Sequence, residues 1–168
     1  MLEPKEVNLS PMPKTWILDL DGTIVVHDGP YILGHDKFLP GAKEFLDELR
    51  KITQVIIISD TFTQFAGPLM EKLGYPTIFC NSLEVAPDGE ITGFKMRIEN
   101  SKLTTVKALQ SIGYDTIASG DSHNDLGMIK ASKAGFLFRS TEQIKKDYPE
   151  FPAFETYEEL LAAIKAAL

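Results

Sequence analysis

Apolar residues recur along this chain in two alternating rhythms. Val55-Ile56-Ile57-Ile58 is four consecutive β-branched residues, the pattern of a strand buried on both faces of a parallel sheet. Phe62, Phe65, Ala66, Leu69, Met70 and Leu73 then fall at helical spacing, as a helix packed on that sheet requires. Pro68 lies inside this run and predicts a kink or a restart, and Gly74 is placed to cap its end. The alternation extends in both directions. Trp16-Ile17-Leu18 predicts a short first strand. Residues 42–51 predict a helix opened by Leu39-Pro40-Gly41, with Phe45, Leu46 and Leu49 on one face and Glu44, Asp47 and Glu48 outside. Residues 77–80 predict another strand, and the apolar positions on either side of Pro87-Asp88-Gly89 predict a hairpin.

Further on, Asn100-Ser101 predicts the start of a helix bearing Leu103, Val106, Leu109 and Ile112, closed by Gly113. Residues 116–118 and 136–138 read as strands and 126–132 as a helix. Ser140 with Gln143, and Thr156 with Glu159, are capping-box pairs for the last two helices. Alternation of this kind predicts an α/β fold: a single Rossmann-like domain with a central parallel sheet, helices on both faces and a small β-hairpin.

Composition narrows the picture. A chain of 168 residues, 43% hydrophobic, suits one domain with a sizeable core and excludes a large two-domain enzyme. Seventeen Lys and Arg against 24 Asp and Glu give a net charge of −7, which repels nucleic acid and anionic membrane, so neither is expected as a partner. The single cysteine, Cys80, cannot form an internal disulfide and sits in an apolar run, where a buried inert thiol is expected. Residues 1–14 carry three prolines and no long apolar stretch. They predict a flexible tail rather than a signal peptide or anchor, with the cytoplasm as the expected location. The folded domain is then 15–168.

Ligand sites of open parallel sheets lie beyond the carboxyl ends of the strands. After the first strand comes Asp19-Leu20-Asp21-Gly22-Thr23; after the Val55 strand, Ser59-Asp60-Thr61; after 116–118, Gly120-Asp121-Ser122-His123-Asn124-Asp125. Lys102 stands at the start of the helix after the hairpin. Any one of these segments alone is an ordinary turn. Together they bring four carboxylates, a hydroxyl and an ammonium to one rim, and carboxylates that close require a cation. Mg²⁺ suits an all-oxygen site and leaves room for a substrate phosphate, whereas no His/Cys cluster has zinc spacing.

Asp19-x-Asp21-Gly22-Thr23, Ser59, Lys102 and Gly120-Asp121-x-x-Asn124-Asp125 resemble the four ordered motifs of the haloacid dehalogenase superfamily, phosphatase branch. From Val55 onward, Ser59-Asp60-Thr61-Phe62, Leu73-Gly74-Tyr75-Pro76-Thr77 and Phe151-Pro152-Ala153 are similar to bacterial phosphoserine phosphatase / homoserine phosphotransferase proteins. The resemblance implies a phosphatase acting on a small phosphorylated metabolite through an aspartyl-phosphate. Asp19 would be the nucleophile and Asp21 the general acid and base. Mg²⁺ would be held by Asp19, the Asp21 carbonyl and Asp121, with Asp125 joining directly or from behind. Ser59 and Lys102 would bind and neutralise the phosphoryl oxygens, aided by the backbone N–H groups of Leu20, Gly22 and Asp60. Asn124 would order Lys102 or touch the phosphate.

Only 36 residues separate Gly22 from Ser59, and a predicted helix and strand take nearly half of them. The remainder, 23–40, predicts a short loop or flap in place of a cap domain. It contains no arginine to clamp an amino-acid carboxylate, which argues against phosphoserine, and its His27, Asp28, Tyr31, His35 and Lys37 are candidates to line the mouth. Members of the superfamily without a cap act on sugar, histidinol or protein phosphates, or borrow a neighbouring subunit as lid, so a homo-oligomer stays open. Two other functions share these residue types: phosphotransfer to an alcohol such as homoserine, and a receiver-like phospho-switch. The second aspartate of Asp-x-Asp argues against the switch, because it promotes hydrolysis of the acyl phosphate.

Overall fold

The computed structural model describes residues 14–20, 22–24 and 38–168. Residues 1–13 of the predicted tail, Asp21 and most of the predicted flap (25–37) lie outside the described residues. The chain forms β1 (Lys14–Leu18), α1 (Ala42–Arg50), β2 (Gln54–Phe62), α2 (Thr63–Lys72), β3 (Thr77–Val85), β4 (Ile91–Lys95) and α3 (Ser101–Ser111). It continues through β5 (Asp115–Gly120), a single 3₁₀ turn (His123–Asp125), α4 (Leu126–Ala131), β6 (Ala134–Phe138), α5 (Glu142–Asp147), β7 (Ala153–Phe154) and α6 (Tyr157–Ala167). Lys14, assigned to the tail from sequence, pairs with Asp115 as the first residue of β1.

The strands make one seven-stranded sheet in the order β4-β3-β2-β1-β5-β6-β7. All neighbours are parallel except β3 and β4, the predicted hairpin. The β-branched run of β2 divides between two cores, as predicted. Val55 and Ile57 face a layer built from Phe45, Leu46 and Leu49 of α1, Leu69 and Met70 of α2, and Leu160 and Ile164 of α6. Ile56 and Ile58 face Val106 of α3, Met128 and Ile129 of α4, and Ile144 of α5. Helices therefore cover both faces, and the central strands carry apolar side chains at consecutive positions because neither face meets water.

Three local features add to or correct the expectations: the helix does not restart at Pro68, the α5 cap shifts by one residue, and a seventh strand is present. α2 runs unbroken from Thr63 to Lys72 through Pro68. Pro68 and Gln64 are both exposed, so the carbonyl that loses its helical partner faces water rather than core. The α5 cap is Thr141, whose Oγ1 accepts the Ile144 N–H at 3.3 Å, because Ser140 is turned into the buried interior. The third concerns β7, which the sequence pattern did not suggest. Gly74 does end α2 with a positive φ of 72°, where Tyr75 N donates to Met70 O at 2.7 Å.

The topology places the site. From β1 the chain moves outward through β2 to β3, then α3 carries it back across to β5 on the other side of β1. The connections leaving β1 and β5 thus diverge, and the crevice between their carboxyl ends is the switch point where such sheets bind ligands.

Candidate active site

Asp19 follows directly on β1, with its N–H donating to Ser119 O of β5 at 3.2 Å, and is only 3% exposed. Lys102, on the first turn of α3, reaches into the same crevice. Its Nζ donates to Asp19 Oδ1 at 2.7 Å and to Asp125 Oδ1 at 2.5 Å, with all three side chains buried. Asp121 completes the group: Asp19, Asp121 and Asp125 each offer an oxygen, all within 4.8 Å of one another.

Two glycines make this crowding feasible. A Cβ at Gly22, whose φ is +75°, would stand 2.2 Å from Asp121 Oδ2. A Cβ at Gly120 would stand 2.3 Å from Asp125 Cγ. Each carboxylate occupies the space that any other residue would fill with its own side chain.

Asp125, fully buried, has both oxygens committed. Oδ2 accepts the N–H groups of Asp121 and Ser122, each at 3.0 Å, and the Ser122 hydroxyl at 3.1 Å, while Oδ1 takes Lys102. Asp125 thereby anchors both the loop that presents Asp121 and the ammonium that faces Asp19. Asn124, expected to order Lys102 or touch phosphate, donates from Nδ2 to Asp60 Oδ2 at 3.0 Å. His123 beside it is exposed.

Among the described residues, three carboxylates converge on one ammonium in this crevice. Burial pushes the Asp19 carboxyl well above the ordinary range, helped by the Asp125 charge and only partly offset by Lys102. Burial alone would lower the Lys102 ammonium, but Asp19 and Asp125 outweigh it and hold it above its usual value. A divalent cation fits the deficit. The donor set is all oxygen, the ligand atoms already converge, and the glycine at 22 leaves Asp121 room to approach.

Ser59 is buried where β2 departs from regular pairing with β3. Ile58 pairs with Phe79 and Phe62 with Asn81, so Ser59, Asp60 and Thr61 occupy the length that Cys80 alone occupies opposite. This bulge is closed from inside by Thr61 N–H donating to Ser59 Oγ at 3.1 Å. Asn81 and Ser122 were not singled out from sequence, although an asparagine ending the apolar run Ile78-Phe79-Cys80 is itself a signal, since Asn is disfavoured in strands without a specific partner.

The three arginines are all engaged in the fold. Arg50 donates to Leu73 O at 2.7 Å and Arg139 to Glu155 O at 3.0 Å, while Arg97 donates to Thr105 Oγ1 at 2.8 Å over the Phe79 ring.

An α/β sheet with this order, carrying an aspartate, a lysine and an acidic loop at its switch point, defines a class. A model of the haloacid dehalogenase-like hydrolases matches residues 32–130, and the chain belongs to that family of enzymes. The chain is 42% identical over 144 residues to the phosphoserine phosphatase ThrH of Pseudomonas aeruginosa, covering 86% of this chain and 70% of that protein. It is 39% identical to a phosphoserine phosphatase of Pseudomonas syringae pv. tomato, again over 86% of this chain but 60% of the relative. Among solved structures it resembles a phospho-aspartyl intermediate analogue of phosphoserine phosphatase. The TM-score is 0.73 at 18% identity, over 90% of this chain and 99% of that one, a likeness of fold. Among the described residues no helix is long and apolar enough to cross a membrane.

Proposed function

We infer that this chain is a Mg²⁺-dependent phosphomonoester phosphatase that works through an aspartyl-phosphate on Asp19. The observation that carries the reading is the buried contact of Lys102 with Asp19 and Asp125, beside the convergent oxygen of Asp121. Asp19 Oδ attacks phosphorus, the phosphorus–ester oxygen bond breaks, and Asp21 gives the leaving alkoxide a proton. Asp21 then takes a proton from water, whose oxygen attacks phosphorus and releases inorganic phosphate and the Asp19 carboxylate. Lys102 keeps Asp19 oriented and meets the charge on the phosphoryl oxygens. Ser59 and the N–H groups of Leu20, Gly22 and Asp60 donate hydrogen bonds to the same oxygens. Asp19, Asp121 and the Asp21 carbonyl would hold a Mg²⁺ ion, which would supply the positive charge that a dianionic phosphate needs beside clustered carboxylates.

The substrate is a small phosphorylated metabolite, and phosphoserine is the first compound to test because of the activity the relatives are named for. The segment that would cover it is short. Leu39 N donates to Ile24 O at 2.9 Å, which ties together the described residues on either side of 25–37, and 13 residues suit a flap rather than a cap domain.

Asp19→Asn tests the reading. It should lower Mg²⁺-dependent hydrolysis of a generic aryl phosphate at least about a thousandfold while the protein stays folded. Hydrolysis near the wild-type rate in that variant would refute the assignment.

A further inference from the structure

We propose that Asn81 is a positioning residue that holds the phosphate-binding turn of β2 and the lysine-bearing start of α3 in one register; the proposal rests on the phosphatase reading above. Asn81 is 1% exposed and uses both ends of its amide. Nδ2 donates to Asp60 O at 3.0 Å, and Oδ1 accepts the Arg97 N–H at 3.0 Å.

The need for such a residue comes from the bulge. Between Ile58 and Phe62, three residues face one on β3, so the Asp60 carbonyl is out of step with the ladder and meets a side-chain amide instead of a strand N–H. The Asp60 carbonyl and the Thr61 N–H belong to one peptide plane, so the Asn81 contact also fixes the N–H that donates to Ser59 Oγ at 3.1 Å and thereby holds the turn that carries the Ser59 hydroxyl.

The other end of the amide acts on a different element. Arg97 lies in the connection from β4 to α3, and Lys102 lies five residues later. Arg97 is also fastened by its guanidinium to Thr105 Oγ1 at 2.8 Å, one helical turn beyond Lys102. Asn81 and Arg97 thus clamp both sides of the short segment that delivers the ammonium, including Asn100 with its left-handed φ of 50°. Through one buried amide, the donors that come from β2 and the cation that comes from α3 are set at a constant spacing. A misplacement of about 1 Å between such groups can cost a hundredfold in rate.

A merely structural Asn81 would affect stability alone, so the test reads phosphoryl recognition separately. Asn81→Ala removes both hydrogen bonds; Asn81→Asp keeps an acceptor for Arg97 N–H and removes the donor to Asp60 O. Each variant is assayed with Mg²⁺ at a temperature well below its own Tm, for kcat and KM on an aryl phosphate and for inhibition by orthovanadate, a mimic of the transferred phosphoryl group. We expect kcat/KM to fall about 10- to 100-fold in both, with orthovanadate inhibition weakened at least about tenfold. If either folded variant keeps wild-type kcat/KM and orthovanadate inhibition, whatever its Tm, Asn81 does not position the site. If the Ala variant fails to fold, the Asp variant decides by the same readings. A wild-type protein without hydrolysis would refute the phosphatase reading itself, whereas an active wild type with indifferent variants refutes this proposal alone.

Discussion

Two regions of this molecule use the same residue types at the same distances to opposite ends. On the outer face of α1, Lys43 Nζ meets Asp47 Oδ2 at 2.7 Å with both side chains about half exposed, at 53% and 45%. At the switch point, Lys102 Nζ meets Asp19 Oδ1, also at 2.7 Å, with both side chains 4% exposed. The first pair is dissolved in water and costs little to form or break. In the second, each charge has given up its hydration, and Asp125 and Asp121 add like charge that Lys102 cannot balance alone. A fold gains little from such a cluster that packed apolar side chains could not supply. Its persistence among the two cores therefore points to chemistry, and the contrast teaches that an ion pair is read by its burial and its charge balance, not by its length.

The largest expected effect is at the buried end. Lys102→Met leaves Asp19 and Asp125 facing each other without their shared cation. In metal-free solution this should destabilise the protein by about 3–5 kcal/mol and abolish turnover of an aryl phosphate. Urea unfolding at neutral pH with EDTA measures the first, and an initial-rate assay with Mg²⁺ the second. An unfolding midpoint equal to that of the wild type would mean that the cluster is not desolvated, and the comparison with α1 would collapse.

A second experiment sharpens the charge deficit. The folded-state Asp19 carboxyl lies well above its ordinary value of 3.8, mainly through burial. The native protein therefore holds this proton at a pH where the unfolded chain has lost it. The group's contribution to stability is fully present below 3.8 and declines as pH rises toward the folded value. Mg²⁺ binding favours the ionised form and competes with that proton, so the metal should stabilise more strongly as pH rises. At a hundredfold excess over its dissociation constant at pH 8, Mg²⁺ should raise Tm by about 5–10 °C, and by clearly less at pH 5. Calorimetric scans with EDTA and with Mg²⁺ at both pH values measure the difference. An equal or larger shift at pH 5 would contradict a cation site centred on Asp19.

How far each feature could be read from the residues follows from how local its cause is. The strand at Val55-Ile56-Ile57-Ile58 was legible because β-branched residues at consecutive positions fit only a strand covered on both faces, and the two cores divide them in alternation. Asp19, Ser59, Lys102 and Asp121 were legible because each directly follows a strand or opens a helix whose pattern was clear. β7 was not: it has two residues after Pro152, and exists through pairing of Leu137 and Phe138 with Ala153 and Phe154 rather than through its own sequence. Asn81 was equally hidden, since its role depends on a bulge in the neighbouring strand and on a loop 16 residues away. The commitment of Asp125 to Lys102 and to two backbone N–H groups also lies beyond motif spacing, which places a carboxylate without saying what it touches.

The smallest expected effect lies at the exposed end of the comparison. In the Lys43–Asp47 pair, the hydrogen bond from Lys43 draws the Asp47 carboxyl below its ordinary value. A lowered folded-state pKa contributes stability above the unfolded value of 3.8 and loses it as pH falls through the folded value, the reverse of Asp19. Yet the geometry argues for a slight effect. The lysine precedes the aspartate at i,i+4, the less favourable order with respect to the helix dipole, and solvent and salt screen the charges. Asp47→Asn should therefore shift Tm by less than about 2 °C at neutral pH and leave turnover unchanged, with the small shift vanishing in about 1 M salt. Thermal scans of the wild type and the variant at low and high salt provide the check. A loss approaching that of Lys102→Met would show that burial is not what separates the two pairs, and the assignment of the inner one to catalysis would lose its physical footing.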